Sequence, residues 1–160
     1  MTTIKKVMLL ALTTATVGVA VAQEKLGLGG NCPVCYIAAN KAVKGNASFA
    51  SVHEGVTYHF VDNATKAKFE AEPAKFLPQY DGFCAYGMSL GKKFETDPSV
   101  FKVMDGRLFL NKDADVAKLF AKDTSSHITK ADKHWKEMKM KEMKEKEMKE
   151  KEMKEKEMAK

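Results

Sequence analysis

Two cysteines separated by two residues give this sequence its clearest chemical signal: Cys32 and Cys35 in the run Cys-Pro-Val-Cys. This spacing serves zinc knuckles, copper carriers and thioredoxin-type redox pairs alike. A redox motif should follow a strand and open a helix, and residues 29–31, Gly-Gly-Asn, do not have the composition of a strand. A zinc site needs a second pair of ligands, for which the chain offers only Cys84 and histidines. A plain disulfide, a metal site and a redox centre therefore all remain open.

Further soft ligand atoms surround the third cysteine. Cys84 lies in the run Phe-Cys-Ala-Tyr-Gly-Met, and Met88 follows it by one helical turn. Sulfur and imidazole donors suit copper and zinc. The alternatives are a buried cysteine that packs as a small apolar side chain and a strand histidine with a structural role. The soft donors predict a metal site formed from Cys32, Cys35, Cys84, His59 and Met88.

The number of cysteines is odd, which limits how they can pair. In an oxidising compartment one of the three stays unpaired if a disulfide forms. Either Cys32 and Cys35 close a small ring, or one of them pairs with Cys84, or all three sulfurs hold a metal ion.

The first residues have the pattern of a secretory signal peptide. Lys5 and Lys6 precede an apolar run, residues 7–21, and Ala20-Val21-Ala22 forms a cleavage site. The run is shorter than the roughly 20 residues that span a bilayer, and no cysteine follows it where a lipoprotein would need one. We expect residues 1–22 to be removed, residues 23–31 to form a flexible lead-in, and the mature protein to be periplasmic or secreted without a membrane span.

Charge and motifs exclude several classes of function. The formal net charge is +6, but Arg107 is the only arginine and the charges alternate in sign, which argues against nucleic-acid binding. The sequence contains no Gly-rich phosphate loop, no Gly-x-Ser-x-Gly and no His-Glu-x-x-His. No catalytic or cofactor-binding residue is predicted, and the sequence favours a binding protein over an enzyme.

Local patterns predict a small single α+β domain in which short antiparallel hairpins pack with helices. Alternating residues predict hairpins over 48–61 and 101–111, with turns at Glu54-Gly55 and Asp105-Gly106. Helices are expected after a cap at Asp62 or Asn63, from Pro73, over 82–93, after Asp113 or Asp115, and from about Ser125. Residues 36–43 fit a helical turn or a strand. The expected core comprises Phe60, Phe69, Phe76, Phe83, Phe101, Leu108 and Phe120.

The C-terminal residues 136–160 form a Lys-Glu-Met repeat with a period of five. Glutamates precede lysines by four positions, which stabilises an isolated helix. The repeated methionines advance around such a helix and do not form one stripe. The tail is therefore predicted to be a solvated, charged helix that acts as a spacer, although its thioethers also suit Cu(I).

Several of these residues resemble the YHS domain, a small module often attached to metal-handling proteins. Tyr58 and His59 match the name of the module, and Phe69, Pro73 and Phe76 match the pattern that follows. The runs 78–94 and 97–111 are similar to exported single-domain YHS proteins of bacteria. The resemblance covers Asn31 to Trp135 and implies a YHS-like domain over 32–135.

Two departures from the YHS pattern concern the cysteines. Many such modules have cysteines directly after the Tyr-x-Phe run, where this chain has residues 61–64, Val-Asp-Asn-Ala. A cysteine, Cys32, also stands where the family commonly has Asp, so the Cys-x-x-Cys is particular to this chain.

Three functions follow as hypotheses. The first is a protein that binds copper or zinc for storage, delivery or resistance. The second is a periplasmic thiol redox protein that uses Cys32 and Cys35. The third is a structural domain whose charged tail carries an interaction with an unidentified protein partner.

Overall fold

The structure, a computed structural model, describes residues 25–158. The predicted signal peptide, residues 1–22, lies outside the described residues. The helices and strands, in chain order, are β1 Lys25–Leu26, α1 Pro33–Ala39, β2 Asn46–His53, β3 Val56–Phe60, α2 Asn63–Ala71, α3 Pro73–Phe76, α4 Ala85–Ser89, β4 Asp97–Met104, β5 Arg107–Asn111, α5 Ala114–Lys122 and α6 Thr124–Met158.

The strands form two small sheets, and the fold is α+β as predicted. In the first sheet β3 lies between β2, which is antiparallel to it, and the short parallel strand β1. The second sheet is the antiparallel hairpin of β4 and β5. Both predicted hairpins are present, and the residues Glu54 and Asp105 adopt positive φ at their turns.

The apolar side chains form two clusters. One contains Cys32, Phe60 and Phe69, and the other contains Met88, Phe109 and Phe120. Five of the seven predicted core residues are buried, whereas Phe83 and Phe101 are only partly buried. Buried and partly exposed residues alternate along β3 as the pattern predicted. In β5, by contrast, consecutive residues are buried, because Leu108 and Leu110 pack in the first cluster and Phe109 packs in the second.

The backbone repeats the same sequence of conformations twice. We define unit A as residues 25–76 and unit B as residues 78–127. Each unit runs through a parallel strand contact, a left-handed turn that ends in glycine, a short helix, an antiparallel hairpin and a second helix. The parallel contacts are Leu26 with Thr57 in unit A and Pro78 with Leu108 in unit B.

Details of the two units match closely. The left-handed turns end at Gly30 with φ 79° and at Gly82 with φ 83°. The second helices are capped by Asp62 with φ −160° and by Asp113 with φ −158°. The first strand of each hairpin, β2 or β4, carries a bulge. Each of these strands begins with a residue, Asn46 or Asp97, whose side chain accepts a hydrogen bond of 2.8 Å from the backbone N–H two residues later.

Residues 25–31 differ from the expected flexible lead-in. Lys25 and Leu26 pair with β3, and Gly27, Leu28 and Gly30 are buried. The space at Gly27 explains its residue type, because a Cβ there would come within 2.3 Å of the Tyr58 ring. A glycine-rich composition here reflects close packing and left-handed turns, not freedom of the chain.

The helix predicted over 82–93 is wrong in extent. Helix α4 covers only Ala85–Ser89, because the chain enters it from a left-handed turn in which Tyr80 and Asp81 have positive φ. It ends at Leu90, after which Gly91 adopts φ 70°. Gly82 and Gly91, which lie on either side of α4, therefore both adopt the left-handed conformation that glycine tolerates.

The C-terminal helix begins at Thr124 and continues without a break through the Lys-Glu-Met repeat. The sequence instead predicted one helix from about Ser125 and a separate tail from 136. The methionines at 143, 148, 153 and 158 are exposed, as predicted for a solvated tail, whereas Met138 at its start packs against the second cluster. None of the helices within 25–158 combines the length and the apolar composition that crossing a membrane needs.

Candidate functional site: the paired cysteines of α1

The start of helix α1 places two thiols next to each other. Cys32 is the last residue before the helix, and Pro33 occupies its first turn, where its fixed φ is favourable. The Cys35 N–H donates to the Cys32 carbonyl at 3.1 Å, and the Cys32 N–H donates to the Val43 carbonyl at 2.8 Å. These bonds fix both Cα positions within one helical turn.

Helix α1 is held against the rest of the protein by Tyr36. Its ring is buried and meets the Phe101 ring edge-on, with centroids 4.8 Å apart. Its hydroxyl donates to the Pro98 carbonyl at 2.6 Å and accepts from the Asn31 side chain at 3.0 Å. The thiol pair therefore lies at the start of a helix that packs against strand β4 through Tyr36.

The two thiols differ in exposure. Cys32 is completely buried in the first apolar cluster, whereas Cys35 is partly exposed. A reagent or an ion from solvent therefore reaches the pair at Cys35 first. Cys32 lies behind it, in the position of a second ligand or of a resolving thiol.

Electrostatics at the pair oppose thiolate formation. The pKa of the Cys35 thiol is raised to about 12, chiefly by burial and then, in decreasing order, by the hydrogen bond with Cys32, the electrostatic effect of Cys32 and the carboxylate of Asp62. Asp62 itself is held ionised because the Thr65 backbone N–H donates to it, which lowers its pKa. Cys35 is thus a neutral thiol at pH 7, beside the negative charge of Asp62.

His59 lies on β3 between Tyr58 and Phe60, which face the core, so the histidine lies on the opposite face of the strand. It is partly exposed and packs beside two glycines. A Cβ at Gly45 would come within 2.7 Å of the His59 Cβ, and a Cβ at Gly30 would lie 3.6 Å from its Nδ1.

Cys84 and Met88 lie in the other half of the molecule. Cys84 caps α4, and its sulfur accepts from the Gly87 N–H at 3.4 Å and donates to Asn111 Oδ1 at 3.8 Å. Met88 is fully buried in the second cluster with Phe109 and Phe120. Cys84 is also buried, which is the packing alternative considered for it above.

The five predicted ligands do not come together as one group. Cys32 belongs to the first apolar cluster and Met88 to the second. Between Lys25 and Met158, no three His, Cys, Asp or Glu side chains converge in a way that could hold a metal ion. What the fold does assemble from the predicted set is the pair Cys32 and Cys35.

Two further features were not predicted from the sequence. Asp62 was expected as a helix cap, but its proximity to Cys35 depends on the packing of α2 against α1. A cleft of about 490 Å³ lies between the two units and is lined by residues of both left-handed turns, by Lys139 and by Glu54. The cysteines do not line this cleft, so it is separate from the thiol pair.

Comparison with known proteins adds no relative: no protein-family model, no curated protein and no solved structure matches the chain.

Proposed function

We propose that this protein is an exported YHS-like module that binds copper(I) through Cys32 and Cys35, for storage, delivery or resistance. The observation that carries the proposal is the adjacent thiol pair, with Cys35 partly exposed and Cys32 buried behind it. The sequence resemblance to exported YHS proteins supports it. Zinc is the less suitable metal, because its protein sites are tetrahedral and use three or four ligands.

Copper(I) suits a site of two sulfurs. It is a soft ion that prefers thiolates, and its filled d shell allows linear coordination by two ligands. Binding replaces both thiol protons: one Cu⁺ and two R–SH give a bis-thiolate complex and two H⁺. Because binding releases protons, affinity should rise with pH, by up to about 100-fold per unit where two protons are released.

The test is anaerobic competition with a Cu(I) chelator of known affinity, using the reduced protein without a tag. We expect Cys32→Ser and Cys35→Ser each to abolish tight binding, and Cys84→Ser to retain it. The last variant is a matched control, since Cys84 is as buried as Cys32. Equal binding by all four proteins, or loss only in Cys84→Ser, would overturn the proposal.

A thiol redox protein is the second candidate, favoured by the arrangement of one accessible and one buried thiol. In such a cycle the Cys35 thiolate attacks a substrate disulfide and releases one thiol, and Cys32 then displaces the other to form the Cys32–Cys35 disulfide. The raised pKa of Cys35 opposes the first step at neutral pH. Disulfide reductase activity that survives Cys84→Ser but not Cys35→Ser would establish this candidate in place of the first.

A further inference from the structure

Units A and B each place a cysteine at the same point of the fold. Cys32 and Cys84 are the residues that precede the first helix of their units, two positions after the glycine that ends the left-handed turn. The Cys32 N–H donates to the Val43 carbonyl at 2.8 Å, and the Cys84 N–H donates to the Phe94 carbonyl at 3.0 Å. Val43 and Phe94 are therefore equivalent as well.

The match extends to the neighbouring backbone. The Gly30 carbonyl accepts from the Gly45 N–H at 2.9 Å, and the Gly82 carbonyl accepts from the Thr96 hydroxyl at 2.8 Å. Gly45 and Thr96 follow Val43 and Phe94 by two residues each. The two cysteines thus have equivalent hydrogen-bonded neighbours on the side of residues 43–45 in unit A and 94–96 in unit B.

The units differ where the second thiol stands. Three residues after the first cysteine, unit A has Cys35 and unit B has Gly87. A Cβ at Gly87 would come within 2.5 Å of Cδ2 in the Phe94 ring and within 3.1 Å of the Lys92 carbonyl oxygen. Unit A has Cys35 and the smaller, exposed Val43 at these two positions. A smaller residue at 94 would therefore relieve the closer of the two contacts that a side chain at 87 would make.

A small pocket adjoins Gly87 and Phe94 in unit B. It has a volume of about 190 Å³ and is lined by Cys84, Gly87, Phe94, Leu90, Val116 and other residues. Its walls are mainly apolar side chains. One sulfur, Cys84, remains there, and it is occupied by hydrogen bonds with Gly87 and Asn111.

We propose that unit B carries the structural counterpart of the Cys32/Cys35 site without its second thiol, in which Gly87 takes the position of Cys35 and the Phe94 ring occupies space that a side chain at 87 would need. The protein therefore offers one dithiol per chain, although it contains three cysteines in two equivalent units. The metal stoichiometry of one rests on the proposed function, whereas the equivalence of the two thiol positions does not.

The test restores the missing thiol with the double variant Gly87→Cys, Phe94→Val, and uses Gly87→Ser, Phe94→Val as the matched control. Phenylarsine oxide reports on dithiols without copper, because it condenses with two thiols and releases one water. Intact mass of the reduced proteins should show one phenylarsine adduct for the wild type and the control, and two for the double variant. Native mass spectrometry with Cu(I) should likewise show one bound copper ion for the wild type and the control, and two for the double variant.

The two readouts separate the two proposals. Two arsenical adducts without any copper binding in any variant would support the equivalence and overturn the proposed function. A folded double variant that takes only one arsenical would overturn the equivalence, whatever its copper content.

A reciprocal cycle in unit A covers the case in which the double variant does not fold. Val43→Phe should lower the Tm when Cys35 is present, and Cys35→Gly should restore part of that loss. The absence of any such rescue would contradict the idea that side chains at these two positions compete for space.

Discussion

The acidity of Cys35 leads to a prediction that separates the two candidate functions. Burial and the neighbouring Cys32 raise its pKa from 9.0 to about 12. Alkylation by iodoacetamide requires the thiolate. At pH 8 the thiolate fraction should be about 1000-fold smaller than for a thiol with the ordinary pKa, since each pKa unit is a factor of ten.

The assay measures the alkylation rate of Cys35 by peptide mass spectrometry from pH 7 to pH 10, in a Cys84→Ser background. We expect the rate to keep rising about tenfold per pH unit through pH 10, because the group remains far below its pKa. The same peptide in urea should level off near pH 9. Limited access lowers the rate at every pH alike, so the shape of the profile, not its height, reports the pKa.

A second substitution identifies the cause. Cys32→Ala removes the hydrogen bond and the charge of Cys32 but leaves the burial of Cys35, so the profile should level off at a lower pH than in the parent. A plateau at or below pH 9 in the parent protein would refute the reasoning and favour the redox candidate.

The same shift determines how stability depends on pH. Between about pH 9 and pH 12 the folded chain keeps a proton on Cys35 that the unfolded chain releases. The contribution of Cys35 to the free energy of unfolding is therefore fully present below about pH 9 and is lost as the pH rises towards about 12.

Two further predictions concern helix α6. Asp132 receives two hydrogen bonds from Arg107, at 2.6 and 3.0 Å, and one from Tyr80; burial raises its pKa, but these bonds outweigh burial and lower it. The Arg107 and Asp132 side chains are each over a third exposed, so Asp132→Asn should lower the free energy of unfolding in urea by only about 1 kcal/mol at pH 7, and by progressively less as the pH falls towards 3. The control, Glu150→Gln, should change it by almost nothing. Equal losses in the two variants would contradict the anchoring role of Asp132. Deleting 144–160 should leave the Tm and copper binding unchanged, because residues 144–158 are all exposed. A lowered Tm would show that the tail packs on the domain, and loss of partner binding alone would favour the interaction hypothesis.

Features that depend on neighbouring residues were predictable from the sequence. Asp62 and Asp113 cap helices because a carboxylate can accept from the N–H three residues later. Asp105-Gly106 closes a hairpin because both residues tolerate positive φ. The Cys-x-x-Cys spacing likewise placed two thiols within one turn. In each case the interaction spans only a few residues, so the sequence contains all of it.

Features that depend on distant contacts were not predictable in the same way. The pairing of residues 25–26 with β3 joins positions about thirty residues apart, and it makes the glycine-rich entry part of the fold. The expected ligand set combined residues of both apolar clusters because periodicity cannot assign a side chain to one cluster or another. The effect of Asp62 on Cys35 likewise depends on how two helices pack.

The repeat itself illustrates why a duplication can be clear in a backbone and weak in a sequence. Cys32 and Cys84 are 52 positions apart, whereas Asp62 and Asp113 are 51 apart, because the loop around α4 is one residue shorter. No single offset aligns both parts, so a search for a fixed period misses the match. The residues shared at equivalent positions are those that the backbone or the core demands, such as glycine at a left-handed turn. Since the same demand acts on both units, a difference such as Cys35 against Gly87 carries more information about function than the identities do.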